Sequence, residues 1–141
     1  MKITVPQANI THEATAAALT AAAKKADELG IKVNIAVADA GGNLAGFLRM
    51  PGAFLHSIDI AIDKAYTAVG FGLPTGDWPQ ALQAHSPAVQ SGLKARPRMV
   101  AFGGGFPVRV DGQLVAGLGV SGGSEEEDEA CARAALAALG L

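Results

Sequence analysis

The apolar and polar positions of this chain change period several times, and each change marks an element. Residues 113–120 alternate: Leu114, Ala116, Leu118 and Val120 fall on one face of a strand, and Val115, Gly117 and Gly119 on the other. Two glycines in one row weaken a strand and imply that a helix, a ligand or a second subunit comes close on that face. Residues 106–110 read as the preceding strand. Asp111-Gly112 between them is the pair a type I′ hairpin turn prefers, because both central residues need positive φ. Ser121-Gly122-Gly123 then turns the chain into a helix. Ser124 is its expected N-cap, and Glu127 three residues on completes a capping box. Glu125, Glu126, Glu127 and Asp128 all suit the positive end of the helix dipole.

Upstream, residues 11–29 read as a helix that is almost all Ala, Thr and Leu in its middle and is ended by Gly30. Residues 33–38 form a strand in which Ile35 and Val37 alternate with smaller side chains. Residues 39–43 are a turn cluster, and residues 44–50 are the partner strand, stopped by Pro51-Gly52. A second helix spans residues 54–69, broken by Gly70, Gly72 and Pro74. Residues 75–97 are the least regular, with a short helix at 79–84 opened by Pro79. Residues 99–102 predict a further strand leading into the hairpin, and residues 3–5 a short edge strand ended by Pro6. The short connections imply antiparallel pairing. The expected fold is α+β: a five-stranded antiparallel sheet with helices packed on it.

Composition adds bounds. A chain of 141 residues, half of them hydrophobic, suits one domain over residues 1–141 with a sizeable core. The formal net charge is −2 with no basic stretch, which argues against nucleic acid or an anionic membrane surface as partner. No apolar run reaches the length of a membrane span, and the opening MKITVPQAN lacks the apolar run of a signal peptide. Cys131 is the only cysteine, so no intramolecular disulfide forms, and a cytoplasmic location is expected. The abundance of Ala and Gly suits closely packed layers and subunits, and a homo-oligomer is expected.

Among ionisable residues Lys64 is the most informative. Its neighbours at three and four positions are Ile60, Ala61, Thr67 and Ala68, so it borders an apolar face and needs a partner carboxylate, Asp39 or Asp128. Arg49 can hold a carboxylate or propionate, and Met50 offers a thioether or fills the core. His12, His56 and His85 have no metal-ligand spacing among them, and one cysteine excludes a structural zinc site. Gly103-Gly104-Gly105 lacks the Lys-Ser/Thr ending of a P-loop and leads into a strand. Gly122 and Gly123 precede a helix, so their amides suit a single carboxylate or the helix's own cap. Cys131 and Ser121 have no base at readable spacing.

GGGFPV (103–108), DGQLVAGLGVSGG (111–123) and the acidic helix opening to Asp128 resemble the GlcG/HbpS family of small haem-binding-like proteins. That domain also forms the C-terminal part of PduO-type corrinoid adenosyltransferases. VNIAVADAGGNLAGFLRM (33–50) and DKAYTA (63–68) agree with the same pattern, and the resemblance covers about residues 10–139. It implies a profilin-like arrangement, haem or a related tetrapyrrole as ligand class, and a high-order assembly such as an octamer. Lys64, Asp39 and Asp128 each match a position of the family pattern. Pro51 stands where relatives carry Asp, and Thr75-Gly76-Asp77 where a haem-ligating histidine is expected, which leaves His85 and His56 as the candidate ligands. Two functions follow. One is a binding protein with a pocket walled by Trp78, Phe71 and Phe106, with Arg49, Met50, Gly122 and Gly123 as further contacts. The other is a cofactor-independent isomerase or lyase acting on a small organic acid, in which Arg49 holds the carboxylate and Lys64 with Asp39 moves protons. A third reading, an assembly subunit without chemistry of its own, leaves Lys64 unexplained.

Overall fold

The structure, a computed structural model, describes residues 1–141. β1 (Asn34–Asp39) and β2 (Leu44–Arg49) form one hairpin, and β3 (Gly105–Val110) and β4 (Gln113–Ser121) the other. β1 and β4 pair antiparallel at the centre, from Asn34 opposite Ser121 to Asp39 opposite Ala116, and the sheet order is β2-β1-β4-β3. The second hairpin turns on Asp111 and Gly112, with φ of 51° and 78° as its dipeptide requires.

The sheet therefore has four strands, and the expectation of five is corrected: residues 99–102 join no ladder. Two of their amides are taken elsewhere, that of Met99 by the Arg96 carbonyl at 3.2 Å. Arg98 takes a positive φ of 65°, the Val100 amide donates to the Thr67 hydroxyl at 3.1 Å, and that hydroxyl donates to the Arg98 carbonyl at 2.8 Å. A side chain of the second helix thus does the work of a neighbouring strand. Residues 3–5 also form no strand.

Helix α1 (His12–Leu29) is capped by Thr11, whose hydroxyl accepts from the Ala14 amide, and is ended by Gly30 at φ 71°. Helix α5 (Glu125–Ala138) opens with the full capping box of Ser124 and Glu127. Both cover one face of the sheet, burying Val33, Ile35, Val37, Leu118 and Val120 against Ala18, Ala22, Ala26, Cys131, Ala132 and Ala135. Helix α2 (His56–Phe71) covers the other face, where Ala36 and Ala38 meet Ala61, Ala65 and Val69. A β-carbon at Gly117 or Gly119 would overlap the carbonyl oxygens of Ala65 and Ala61, so the close neighbour implied by the glycine row is α2.

A bulge alters the alternation of β4. Val108 pairs with Ala116 but Arg109 with Leu114, leaving Val115 as the extra residue. Leu114 consequently packs on the α2 side and Val115 joins the opposite core. After α2, a 3₁₀ turn (Thr75–Asp77) leads into α3 (Trp78–Gln83) and α4 (Pro87–Lys94). α4 falls within residues 75–97, expected to be the least regular; Ser86 caps it and Pro87 occupies its first turn. No helix is long and apolar enough to cross a membrane.

Candidate functional site

Lys64 faces β4 from the middle of α2, where the absence of a side chain at Gly119 lets the helix come close. Its side chain is only 1% exposed. The ammonium donates to the Val120 carbonyl at 2.7 Å and to Asp128 Oδ2 at 3.1 Å, and lies 5.1 Å from the centre of the Phe102 ring. Asp128 Oδ1 accepts from the Gly123 amide at 2.8 Å. Burial pulls the Lys64 pKa below its ordinary value, with the Asp128 charge opposing. Burial likewise pushes Asp128 upward, opposed by the Lys64 charge. The pair ties α2 to the first turn of α5 across the end of β4.

Gly104, at φ 125°, passes directly over this pair, and a β-carbon there would meet both the Lys64 ammonium and the Val120 carbonyl. The amides beside it are taken: Gly103 donates to Glu125 Oε1 at 2.7 Å and Gly105 to the Thr75 hydroxyl at 2.8 Å. The triple glycine is a crossing point for the backbone, and its outer two amides are bound by the protein itself.

The other expected site residues are dispersed. Asp39 accepts from the amides of Gly41 and Asn43, both at 2.9 Å, within the β1–β2 turn. Those bonds, the Asn43 amide foremost, hold its pKa below the ordinary value. Arg49 lies at the opposite end of that hairpin, paired with Asn34, and donates to the Ala53 carbonyl at 2.7 Å. Met50 is core. Phe106 is buried with the Arg133 guanidinium 4.8 Å above its ring. Trp78 is buried edge-on to Phe71, with centroids 4.7 Å apart, and its indole nitrogen has no hydrogen-bond partner. Gly123 spends its amide on Asp128, and Gly122 adjoins it at φ 143°. The Cys131 thiol is buried, and burial foremost pushes its pKa up to about 11, which leaves it unreactive. His56 and His85 are exposed, and no three potential ligands cluster around a metal position.

Two concavities remain. One, of about 400 Å³, is bounded by the chain entering α1, the β3–β4 hairpin and the C-terminal residues. It is lined mainly by Ile10, Val108, Val110, Val115, Leu139 and Leu141 and holds no histidine, cysteine, methionine or tyrosine, the side chains that ligate haem iron. The other, of about 240 Å³, lies on the outer face of α2 against the segment after α4. Tyr66, Phe71, Leu93 and Pro97 wall it, with Arg96, Arg98 and Met99. The Arg98 guanidinium stacks 3.6 Å from the Tyr66 ring centre and its Nε donates to Asp63 at 3.0 Å. None of the three histidines lines either groove. Tyr66, Arg96, Arg98 and Met99 were not singled out from sequence. The only signal for them is the pair of arginines flanking Pro97.

This fold and its sequence have clear counterparts. The family model described as "Haem degrading protein HbpS-like" matches residues 10–137. A 15.0 kDa protein encoded between dhaT and dhaS in Citrobacter freundii is 38% identical over 92% of this chain and 91% of its own. The corrinoid adenosyltransferase PduO of Citrobacter freundii is 37% identical over 86% of this chain, which spans only 36% of PduO. Among solved structures, the Klebsiella pneumoniae protein ORFY superposes with a TM-score of 0.91 at 34% identity, covering 99% of this chain and 97% of ORFY. A complex of PduOC with haem superposes at 0.84 with 34% identity, covering 92% of this chain and 94% of PduOC. With its whole domain matched by that model and by relatives of equal length, the chain belongs to the HbpS-like family.

Proposed function

We propose that this protein binds haem or a closely related tetrapyrrole in the groove between α2 and the segment after α4. The observation that carries the reading is the likeness, over nearly the whole domain, to a relative solved with haem. The groove's chemistry supports it. Tyr66, Phe71, Leu93 and Pro97 offer apolar walls, and Arg96, which makes no ion pair within the chain, suits a propionate. Met99 and Tyr66 carry the thioether and phenol that suit haem iron. Bound haem would supply the iron chemistry, while these residues hold its edge and orient it. A groove of about 240 Å³ is smaller than the usual range of about 300–1,000 Å³ for enclosing sites, so much of the ligand stays in solvent and affinity is modest. The isomerase or lyase reading finds less support, because Asp39 lies at the other end of β1 from Lys64, whose ammonium is taken by Val120 and Asp128, and Arg49 donates to the Ala53 carbonyl.

The test is titration with ferric haem followed by the Soret band. A saturable shift is expected. Arg96→Ala should weaken binding about tenfold, as loss of one charge-assisted bond does. Met99→Leu should alter the spectrum without moving the melting temperature, and His85→Ala and His56→Ala should leave it unchanged. No saturable change removes haem, and a spectrum that depends on His85 or His56 moves the ligand out of this groove.

A further inference from the structure

Ahead of α1 the chain leaves the domain. Residues 1–5 read Met-Lys-Ile-Thr-Val, apolar at every second position. Met1 is fully exposed, Ile3 is 84% exposed and Val5 79%, so three apolar side chains in one row have no cover. The root of this arm is nevertheless fixed. Asn9 Oδ1 accepts from the Ala40 amide at 2.9 Å, and the Ile10 amide donates to the Val115 carbonyl at 3.3 Å. A held root and an uncovered apolar row describe a segment whose partner surface lies on another molecule.

The larger groove has matching properties. Its volume is about 400 Å³, and Ile10, Val108, Val110, Val115 and Leu139 make it apolar. β3, which forms one wall, is an edge strand of the sheet, so an extended segment can lie alongside it. Its one charged lining residue, Asp111, has no ion-pair partner, and neither has Lys2 on the arm. The arm stays out of the groove of its own chain: Met1, Ile3 and Val5 are exposed although the groove begins only three residues on, at Ala8.

We propose that residues 1–5 of one copy occupy this groove in a second copy, and the reverse, with Ile3 and Val5 against the apolar wall and Lys2 paired with Asp111. The exchange is isologous, since each copy gives an arm and receives one. It is independent of the haem reading, because the two grooves share no residue.

The test is cross-linking of a variant carrying Ile3→Cys and Val110→Cys; the buried Cys131 thiol stays out of the reaction. Oxidation should give covalent dimers on a non-reducing gel. An equimolar mixture of the two single variants, one carrying a size tag, should give the heterodimer. Deletion of residues 2–5 should lower the mass seen by sedimentation while the melting curve stays cooperative. Lys2→Glu should weaken the association on the order of fivefold. A disulfide closed within one chain, an unchanged mass after the deletion, or a groove filled by a co-purifying small apolar molecule overturns the proposal.

Discussion

On the face covered by α1 and α5 the sheet presents Val33, Ile35, Val37, Leu118 and Val120; on the face covered by α2 it presents Ala36, Ala38, Gly117 and Gly119. The first face fills the space between layers with branched side chains, which can shift rotamers to absorb small changes. The second brings the helix backbone almost onto the strand, so its spacing is set by atoms that cannot move aside. Close approach also explains how a lysine stem can run from the middle of α2 to Val120 and Asp128 without leaving the protein. One face is held by apolar area. The other is held by fit and, at its end, by an ion pair that can only exist because both partners are buried together.

The sharpest way to break this comparison is Gly119→Val. Its side chain would have to displace the Ala61 carbonyl and the Ala65 amide, which belong to the helix itself. We expect loss of cooperative unfolding or insoluble protein. Leu118→Ala, one residue away on the opposite face, leaves a cavity instead of a clash and should give a folded protein destabilised by about 2–5 kcal/mol. Thermal melts of both variants decide the matter: if Gly119→Val unfolds within a few degrees of the parent, the tight face is no tighter than the other.

The ion pair comes next in size. Asp128→Ala leaves the Lys64 ammonium buried with only the Val120 carbonyl, and should cost about 3–5 kcal/mol. Lys64→Met should cost less, because Asp128 keeps the Gly123 amide and the positive end of α5. Combining Lys64→Met with Asp128→Leu should recover most of the loss, since neither charge then remains to be buried. Equal losses for the two single variants would contradict the asymmetry. Haem titration of Lys64→Met should match the parent, because Lys64 lines neither groove.

Local chemistry was legible in the sequence. The Asp111-Gly112 turn, the Ser124–Glu127 box and the glycine row of β4 each depend on neighbouring residues, and each is found where expected. The need of Lys64 for a carboxylate was also readable, although the choice between Asp39 and Asp128 was not, because it turns on which end of the sheet α2 crosses. What escaped depends on distant partners. Residues 99–102 have the composition of a strand, but Thr67, more than thirty positions earlier, takes the Val100 amide. The bulge at Val115 needs the register of two strands, and a pattern along one strand cannot supply it. The Tyr66 groove was hidden for the same reason, since Arg98 is held by Asp63 and Tyr66 on another element.

The smallest expected effects come from two adjacent residues of β1, and they sharpen the comparison most finely. Ile35 and Ala36 share a strand, a depth and a backbone, and both are fully buried; only the face differs. Ile35→Val removes one methylene from the branched face and should cost about 0.5–1.5 kcal/mol, the ordinary price of a small cavity. Ala36→Val adds two methyl groups and raises strand propensity, so on a slack face it would be neutral or stabilising. Against Ala61 and Ala65 it has nowhere to go, and overpacking should cost about 1–3 kcal/mol. The two side chains pack in different clusters but share one backbone, so the double variant reads how far a shift of the strand couples the two faces. The urea midpoints of four proteins, the parent, the two single variants and the double, give every term. A stabilising Ala36→Val would mean that α2 can lift from the sheet by the depth of a methyl group.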